Sequence, residues 1–315
     1  MALNMNSNKK KTIGIGLLGL GTVGSGVVKI LNARAKAIEQ KTGLRLELKK
    51  VAVKSLAKKR AVYVSRKFLT NRPEKVAQDP SVDIFVELAG GIQPAKSVIL
   101  KALSKGKHVV TANKALLAEH GEEIFAAAKK NSRRVRYEAS VCGGIPIIQS
   151  VREGLASDSV SHFLGIVNGT CNFILTLMSK EGKNFSAALK EAQLRGYAEK
   201  NPKLDIQGID SAHKLAVLAR LAFRAEIPFK DISVEGIQSL AAADIQYAKE
   251  LGYVIKLLAI GKKLPEGLEL RVHPTMLPLD HPLASVQGVY NAVFVHADQA
   301  GDLLFYGREI GRAHV

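Results

Sequence analysis

Three carboxylates and one lysine lie around the start of a predicted helix in the second half of the chain. Residues 209–225 carry apolar side chains at helical spacing, and Asp210 and Lys214 lie beside that apolar stripe, one turn apart. Glu199 and Asp205 precede the helix in a predicted loop. A small substrate with both an ammonium and a carboxylate group would need such mixed charges. The alternative is that Asp210 and Lys214 form a surface ion pair, which contributes roughly a few tenths of a kcal/mol.

A glycine-rich turn, Gly19-Leu20-Gly21-Thr22-Val23-Gly24, joins the first predicted strand (residues 13–20) to the first predicted helix (residues 22–40). In a dinucleotide-binding turn the first glycine permits a tight bend and the second lets the backbone approach the pyrophosphate. The third allows the helix to pack closely on the strand, so that the N-terminal amides of the helix face the phosphates. Glycines also serve ordinary turns, but the strand before and the helix after favour dinucleotide binding.

The residues that follow the second predicted strand (residues 46–53) bear on the choice of cofactor. An NAD-preferring site would place an acidic residue here to accept the ribose 2′-hydroxyl, whereas this chain has Lys54, with Lys58, Lys59 and Arg60 close behind. Cations tolerate or pair with a 2′-phosphate. We therefore predict a preference for NADP(H), with NAD(H) as the alternative cofactor. The other interpretation is that these lysines form a solvated loop that selects neither cofactor.

The pattern of apolar runs predicts an α/β protein with two domains. Short strands alternate with helices in residues 12–137, which indicates a doubly wound parallel sheet (a Rossmann fold) that binds the dinucleotide. Residues 138–307 combine helices with further short extended runs, which indicates a second α/β domain with a mixed or antiparallel sheet. Residues 1–11 are polar and lysine-rich, and we interpret them as a disordered basic tail.

The net charge of +18 raises the question of nucleic-acid binding. The lysines and arginines are spread along the whole chain, and aromatic residues make up only 5% with no tryptophan, so we expect no specific nucleic-acid partner. Two cysteines exclude a disulfide framework. No apolar run is long enough for a bilayer and none resembles a signal peptide, so we expect a cytoplasmic protein with no membrane partner.

Several short motifs occur in a fixed order along the chain. They are Val86-Glu87-Leu88-Ala89-Gly90-Gly91, Thr111-Ala112-Asn113-Lys114, Tyr137-Glu138-Ala139-Ser140-Val141, Gly165-Ile166-Val167-Asn168-Gly169-Thr170, and Gly196-Tyr197-Ala198-Glu199 followed by Asp205, Gly208, Asp210 and Lys214. With the glycine-rich turn they extend over roughly residues 13–307. This series resembles the homoserine dehydrogenase family.

The resemblance implies NAD(P)-dependent interconversion of L-homoserine and L-aspartate 4-semialdehyde by hydride transfer. Such a reaction belongs to the biosynthesis of threonine, methionine and isoleucine. The resemblance also implies that the second domain serves dimerisation and that the protein is a homodimer or homotetramer.

Roles follow from the resemblance for individual residues. Lys214 would be the acid–base residue at the C4 oxygen of the substrate, and Glu199 and Asp210 would bind its amino and hydroxyl end, with Asp210 taking part in catalysis. Asp205 would help shape the polar site. Lys114 would lie near both nicotinamide and substrate, and Gly196 would contact the cofactor. A structural monovalent cation (Na⁺ or K⁺) would be bound by Glu138 and the backbone carbonyls of Val141, Gly143 and Ile145.

The chain departs from the family pattern at a few positions. Asn201 replaces the usual aspartate, which removes one negative charge from the loop, and Cys171 replaces a usual threonine. Cys142 suggests a rival class, a semialdehyde dehydrogenase with a thiolate nucleophile. That chemistry needs a base beside an activated cysteine, and no histidine neighbours Cys142 in the sequence. A buried or loop thiol is the simpler interpretation.

The C-terminal residues differ from the family more strongly. The family continues after the Phe305-Tyr306-Gly307 motif with a glycine-rich turn and a returning helix, and many members add a regulatory domain. This chain has Arg308 followed by residues 309–315, a string that one reading frame of a common sequencing adaptor encodes. We therefore interpret the chain as C-terminally truncated and residues 308–315 as an artefactual or a divergent terminus.

A missing helix would expose apolar surface on the cofactor domain and leave the chain unstable or inactive. A second hypothesis is therefore a dinucleotide-binding fragment without catalysis, which would bind cofactor without turnover. A third, a basic nucleic-acid-binding protein, predicts salt-sensitive retention of DNA and no oxidation of NADPH.

Overall fold

The structure, a computed structural model, describes residues 11–309, which divide into two units. The first comprises residues 11–116 and 120–136, and the second comprises residues 117–119 and 137–309. The division after residue 136 lies one residue before the domain boundary predicted from the sequence. The predicted polar tail, apart from Lys11, and residues 310–315 of the predicted divergent terminus lie outside the described residues.

A six-stranded parallel sheet forms the centre of the first unit. Its strands are β1 (Lys11–Leu18), β2 (Leu44–Ala52), β3 (Leu69–Thr70), β4 (Ile84–Glu87), β5 (His108–Thr111) and β6 (Val135–Arg136). Their order is β3-β2-β1-β4-β5-β6, and all neighbours are parallel. The chain builds one half of the sheet outward from β1 and then crosses to the other side of β1. This doubly wound order confirms the predicted fold class.

The apolar residues of β1 form the core of the first unit because β1 has a strand on each side. Leu17 is completely buried and packs in one cluster with Val28, Val51 and Val86. The helices that begin before residue 136 are α1 (Thr22–Ala33), α2 (Ala35–Thr42), α3 (Pro73–Ala77), α4 (Ala95–Ser104) and α5 (Lys114–Lys130).

The prediction of one continuous helix over residues 22–40 is wrong. The helix ends at Ala33, and Arg34 leaves the helical conformation with φ −110° and ψ 10° before α2 begins. No residue of α2 is fully buried, and the helix lies against β2.

The second unit contains a six-stranded sheet, which is mixed, one of the two alternatives that the sequence left open. Its strands are β7 (Val160–Ile166), β8 (Ser233–Val234), β9 (Tyr253–Leu264), β10 (Gly267–Pro278), β11 (Tyr290–Ala297) and β12 (Gly301–Arg308). The order is β12-β11-β7-β9-β10-β8, and only the β8–β10 pair is parallel. The sequence did not predict β12, which pairs with β11 along its whole length and extends to Arg308.

The second unit also contains the helices that carry the predicted site residues Asp205, Asp210 and Lys214. Its α-helices are α6 (Ile147–Gln149), α7 (Gly169–Glu181), α8 (Phe185–Leu194), α9 (Lys203–Ile206), α10 (Ile209–Phe223) and α11 (Ala242–Glu250). Three alanines of α10, Ala212, Ala216 and Ala219, are completely buried. Small side chains let the helix lie close to its neighbours, so that a long side chain on the same face is enclosed.

Candidate active site

Lys214 and Asp210 form a buried pair on α10. Lys214 is only 2% exposed, and its Nζ lies 3.1 Å from Oδ2 of Asp210, itself 8% exposed. The same Nζ donates to the backbone carbonyl of Val167, at 2.6 Å, at the end of β7. The interpretation as a surface ion pair is therefore wrong. A buried charge persists only when it is paired and hydrogen-bonded, as this lysine is.

Asn168 connects this pair to a third predicted site residue. Its Nδ2 donates to Oδ1 of Asp205 at 2.8 Å and to Oδ2 of Asp210 at 2.9 Å. Its Oδ1 accepts from the backbone N–H of Cys171, so the same side chain caps the start of α7. The structure thus brings together Asp205, Asp210 and Lys214. The sequence prediction assigned no role to Asn168, although an asparagine directly before a helix is a recognisable capping signal.

Two further polar residues at the site had no predicted role. Oε1 and Oε2 of Glu309 accept hydrogen bonds from Nζ of Lys214 at 2.8 and 2.9 Å. Asn291 on β11 is completely buried, and its Nδ2 donates to Oε2 of Glu309 at 2.8 Å. A polar residue within the apolar run of residues 289–295 was the available signal for Asn291. Glu309 had been assigned to the divergent terminus.

The charges around Lys214 decide its protonation state, which the sequence could not settle. Burial alone would lower the pKa of the ammonium group, but the carboxylates of Asp210 and Glu309 outweigh it and hold the pKa above its ordinary value. Lys214 is therefore charged at neutral pH. In this state it can donate a proton and hold an anionic oxygen.

The loop between α8 and α9 carries the other predicted contacts of substrate and cofactor. Gly196 has a positive φ of 74° and is exposed, as is Glu199. Oγ1 of Thr170 donates to the carbonyl of Tyr197 at 2.7 Å, which ties the loop to the start of α7. The loop is thereby anchored near Asn168, while the Glu199 side chain stays at the surface of the unit.

In the first unit, the glycine-rich turn has the geometry of a phosphate-binding turn. Gly19 has a φ of 98°, which disfavours residues with a side chain. A Cβ on Gly24 would lie 2.2 Å from the carbonyl oxygen of Gly19, so the helix can approach the strand only with glycine here. A Cβ on Gly21 would meet nothing within 4 Å among the described residues. This leaves open space before the exposed Thr22 and Val23 at the start of α1.

Two of the motifs are joined by a buried carboxylate beside this turn. Glu87 is completely buried, and its Oε1 accepts from the backbone N–H groups of Ala89 and Gly90 at 2.8 and 2.9 Å. Its Oε2 accepts from Oγ1 of Thr111 at 2.7 Å. Asn113 caps α5, so that Lys114 is the half-buried first residue of that helix. These residues position the loops that follow β4 and β5.

The basic loop after β2 lies at the surface of the first unit. Lys54, Lys58 and Lys59 are exposed. The guanidinium of Arg60 donates to the carbonyl oxygens of Lys58 and Ser55. These two hydrogen bonds join Arg60 to Ser55 and Lys58, so that residues 55–60 form a closed loop.

Neither cysteine is suited to act as a nucleophile. Cys142 and Cys171 are both free and completely buried. Burial raises the pKa of Cys142 to about 12, against the smaller lowering by Lys214. Since the thiolate is the reactive form, the rival thiolate mechanism is contradicted.

Two family profiles match this chain in succession. The profile described as "Homoserine dehydrogenase, NAD binding domain" matches residues 19–138, and that described as "Homoserine dehydrogenase" matches residues 146–315. Homoserine dehydrogenase from Bacillus subtilis is 46% identical over 301 residues, which is 96% of this chain and 70% of the relative. The enzyme from Neisseria gonorrhoeae is 48% identical over 96% of this chain and 69% of its own. The chain belongs to the homoserine dehydrogenase family.

Solved structures agree with this assignment. A homoserine dehydrogenase from Thiobacillus denitrificans superposes with a TM-score of 0.92 at 46% identity, covering 96% of this chain and 71% of that one. A hyperthermophilic archaeal homoserine dehydrogenase in complex with NADPH gives a TM-score of 0.79 at 25% identity, covering 96% and 94%. The predicted class, a nicotinamide-dependent oxidoreductase acting on a CH–OH group of a small molecule, is confirmed. Within residues 11–309, no helix has the length and apolar character to cross a membrane.

Proposed function

We propose that this homoserine dehydrogenase interconverts L-homoserine and L-aspartate 4-semialdehyde with Lys214 as the proton donor and acceptor at the C4 oxygen. The buried ammonium group of Lys214 is the observation that carries the proposal. It is positioned by Asp210 and the Val167 carbonyl, and burial excludes water from its surroundings. A charged lysine held in this way suits a reaction that moves a proton to or from an oxygen.

Lys214 is the proton donor in reduction and the proton acceptor in oxidation. The bound nicotinamide supplies or accepts the hydride at C4. In reduction, Lys214 donates its proton to the aldehyde oxygen, which becomes the hydroxyl of homoserine. In oxidation, a neutral Lys214 takes the hydroxyl proton as the C=O bond forms. The raised pKa of Lys214 makes the protonated state the resting one, which is the form that donates the proton in reduction.

Asp205, Asp210 and Glu199 are proposed to bind the amino and hydroxyl end of the substrate. Nδ2 of Asn168 donates to Asp205 at 2.8 Å and to Asp210 at 2.9 Å, so these two carboxylates lie close together. An ammonium group of the substrate would be stabilised there by charge-assisted hydrogen bonds. Lys114, at the start of α5, is proposed to contact nicotinamide and substrate, as the family resemblance implies.

NADP(H) is proposed as the preferred cofactor. The open space at Gly21 and the start of α1 suit the pyrophosphate, and Gly196 is proposed as a further cofactor contact. Lys54 is the second residue after β2, and the loop closed by Arg60 carries two further cations, Lys58 and Lys59. A 2′-phosphate would be favoured by these charges. The ratio of kcat/KM for NADPH to that for NADH tests this, and a clear preference for NADH contradicts it.

A monovalent cation is proposed to bind between Glu138 and the carbonyls of Val141, Gly143 and Ile145. Each Glu138 oxygen accepts one backbone N–H, from Ile148 at 2.9 Å and Gln149 at 3.0 Å, and keeps further lone pairs. One carboxylate with neutral carbonyls is a set of hard oxygen donors with a single negative charge, which fits Na⁺ or K⁺. The ion would fix the loop of residues 138–147, and a change of melting temperature between K⁺, Na⁺ and a bulky organic cation tests its presence.

We also propose that two copies of the chain associate through the outer face of the second sheet. Tyr290 and Tyr306 stack with ring centroids 5.1 Å apart on that face and are 39% and 54% exposed. Leu304, 45% exposed, lies beside them opposite Phe294. Exposed apolar side chains of this kind would be buried if two copies met about a two-fold axis, and two such dimers would form the tetramer.

The mass in solution tests the proposed dimer. Leu304→Asp should shift the protein from dimer to monomer in light scattering. Leu251→Asp, at a leucine 68% exposed after α11, is the matched control and should leave the mass unchanged. A wild-type monomer, or equal effects of the two variants, contradicts the proposal.

The cytoplasm is proposed as the compartment of this protein. Both cysteines are free and buried, and a reducing compartment preserves thiols in this state. Fractionation of cells expressing the tagged chain tests the assignment.

The reaction itself is tested by NADPH oxidation with L-aspartate 4-semialdehyde. Lys214→Ala should lower kcat by about 100-fold or more and leave the affinity for NADPH nearly unchanged, because the acid–base group is lost and the cofactor turn is intact. Equal loss of cofactor binding would indicate a structural role for Lys214. Cofactor binding without turnover in the wild type would favour the hypothesis of a non-catalytic fragment.

A further inference from the structure

Two buried nitrogen donors converge on one carboxylate in the second unit. Nζ of Lys214 lies 2.8 and 2.9 Å from the two oxygens of Glu309, and Nδ2 of Asn291 lies 2.8 Å from Oε2. Asn291 is completely buried and Lys214 is 2% exposed, so surrounding side chains hold both donors in place. The two donors therefore define a fixed position for an oxygen atom.

Asn291 is incompletely satisfied by the rest of the protein. Its Oδ1 is buried and has no hydrogen-bond partner among residues 11–309. Asn172, an equally buried asparagine in the same unit, uses both ends of its amide: Nδ2 donates to the carbonyl of Tyr290 at 3.1 Å, and Oδ1 accepts from Lys256 at 3.1 Å. Structure alone explains Asn172. A buried asparagine whose Oδ1 has no partner is better explained by what its Nδ2 binds.

We propose that Asn291 is a substrate-binding residue whose Nδ2 is the second donor, beside Lys214, to the C4 oxygen, and that Glu309 occupies this position in the present chain. This inference rests on the proposed function, because it uses Lys214 as the residue at that oxygen. The carboxylate of Glu309 stands in for the oxygen that would lie between the two donors.

The two donors have different tasks in the reaction. When the hydride reaches C4 of the aldehyde, the C=O bond becomes a single bond and negative charge develops on oxygen. Lys214 gives its proton to that oxygen, whereas Asn291 keeps its N–H and stabilises the developing charge through a hydrogen bond. A donor that is already oriented needs no rearrangement as the charge develops. In oxidation the same contact orients the hydroxyl oxygen toward Lys214.

Glu309 competes with the substrate for this position. An intramolecular group that fills the site in nine of ten molecules weakens apparent binding by about tenfold. The carboxylate also contributes to the raised pKa of Lys214, so its removal shifts the protonation of Lys214 to lower pH. The KM for the semialdehyde, but not the KM for NADPH, should therefore depend on Glu309.

Kinetics of five variants of the full chain test both parts. Glu309→Ala should lower the KM for L-aspartate 4-semialdehyde by about tenfold, whereas Glu266→Ala, at an exposed turn, should not. In the Glu309→Ala background, Asn291→Ala should lower kcat by about 100-fold with the KM for NADPH unchanged. Asn172→Ala in the same background should lower the melting temperature but keep kcat. Asn291→Ser, which keeps one donor, should retain intermediate activity and replaces Asn291→Ala if that variant does not fold.

The outcomes separate this inference from the proposed reaction. An equal KM for the semialdehyde in the wild type and Glu309→Ala overturns the occupancy by Glu309. A loss of kcat in Asn172→Ala as large as in the Asn291 variants overturns the role of Asn291. If no variant turns over, the proposed reaction fails, and calorimetry with L-homoserine decides the inference. Tighter binding by Glu309→Ala than by the wild type then supports it, and equal binding overturns it.

Discussion

Lys214 lies one helical turn after Asp210, and its ammonium nitrogen is 3.1 Å from the Asp210 carboxylate in the interior of the second unit. The same spacing on a helix surface would contribute little to stability or function. Burial changes this, because each charge then depends on the other for stabilisation.

Asp210→Asn should lower kcat/KM at pH 7 by roughly 10- to 100-fold and move the pH profile. The Asp210 carboxylate raises the pKa of Lys214, so a neutral side chain at position 210 lowers that pKa. The change of kcat/KM with pH that reports the titration of Lys214 should therefore move to lower pH. The pH dependence of kcat/KM measures this. Glu226→Gln, in the partly exposed pair with Arg220, should leave the profile in place. A move to higher pH in Asp210→Asn would contradict the assignment to Lys214.

Asn168→Ala should destabilise the protein by about 3 kcal/mol and raise the KM for homoserine. The change removes a helix cap, which contributes about 1 kcal/mol, and two hydrogen bonds to carboxylates. Asn184→Ala removes only the cap of α8 and should cost about 1 kcal/mol with no change in KM. Urea denaturation and steady-state kinetics give the two quantities. Equal effects of the two variants would mean that Asn168 acts only as a helix cap.

Alanine substitutions should separate the roles of two glycines in the cofactor turn. At Gly21 a Cβ has open space, so Gly21→Ala should change stability by less than about 0.5 kcal/mol but weaken NADPH binding about tenfold or more. At Gly24 a Cβ would lie 2.2 Å from the Gly19 carbonyl, so Gly24→Ala should lower the melting temperature as well. Thermal melts and NADPH fluorescence titrations measure both effects. Unchanged NADPH affinity in Gly21→Ala would contradict the proposed pyrophosphate site.

Lys256→Met should change how the stability of the protein depends on pH. Burial and the charge of Lys180 lower the pKa of Lys256 to about 8 from its ordinary 10.5. The unfolded chain therefore binds more protons than the folded one between these values, so this lysine destabilises the fold below pH 8 and the penalty disappears as pH rises to about 10.5. The wild type should gain about 3 kcal/mol relative to Lys256→Met over this range. Parallel urea titrations at pH 7 to 10.5 measure the difference, and a constant difference would contradict the lowered pKa.

The sequence predicted the class of fold because the cofactor unit depends on local signals. The glycine-rich turn, the apolar strands and the helix after them are each visible within a few residues, and the structure has them in the predicted order. The break at Arg34 was not visible, because the sequence pattern does not reveal how deeply each residue is buried, and no residue of α2 is fully buried. The strand β12 was missed since it forms only by pairing with β11.

The sequence also determined which residues are candidates for chemistry, since motif order and residue type depend on the chain alone. Only the tertiary structure decided that Lys214 is buried rather than exposed, because burial depends on how α10 packs. The same holds for the contacts of Asn168 with Asp205 and Asp210, and for those of Glu309 with Lys214 and Asn291, whose partners lie 18 to 95 residues apart along the chain. Distances of this kind are set by folding, and the pKa of Lys214 depends on them.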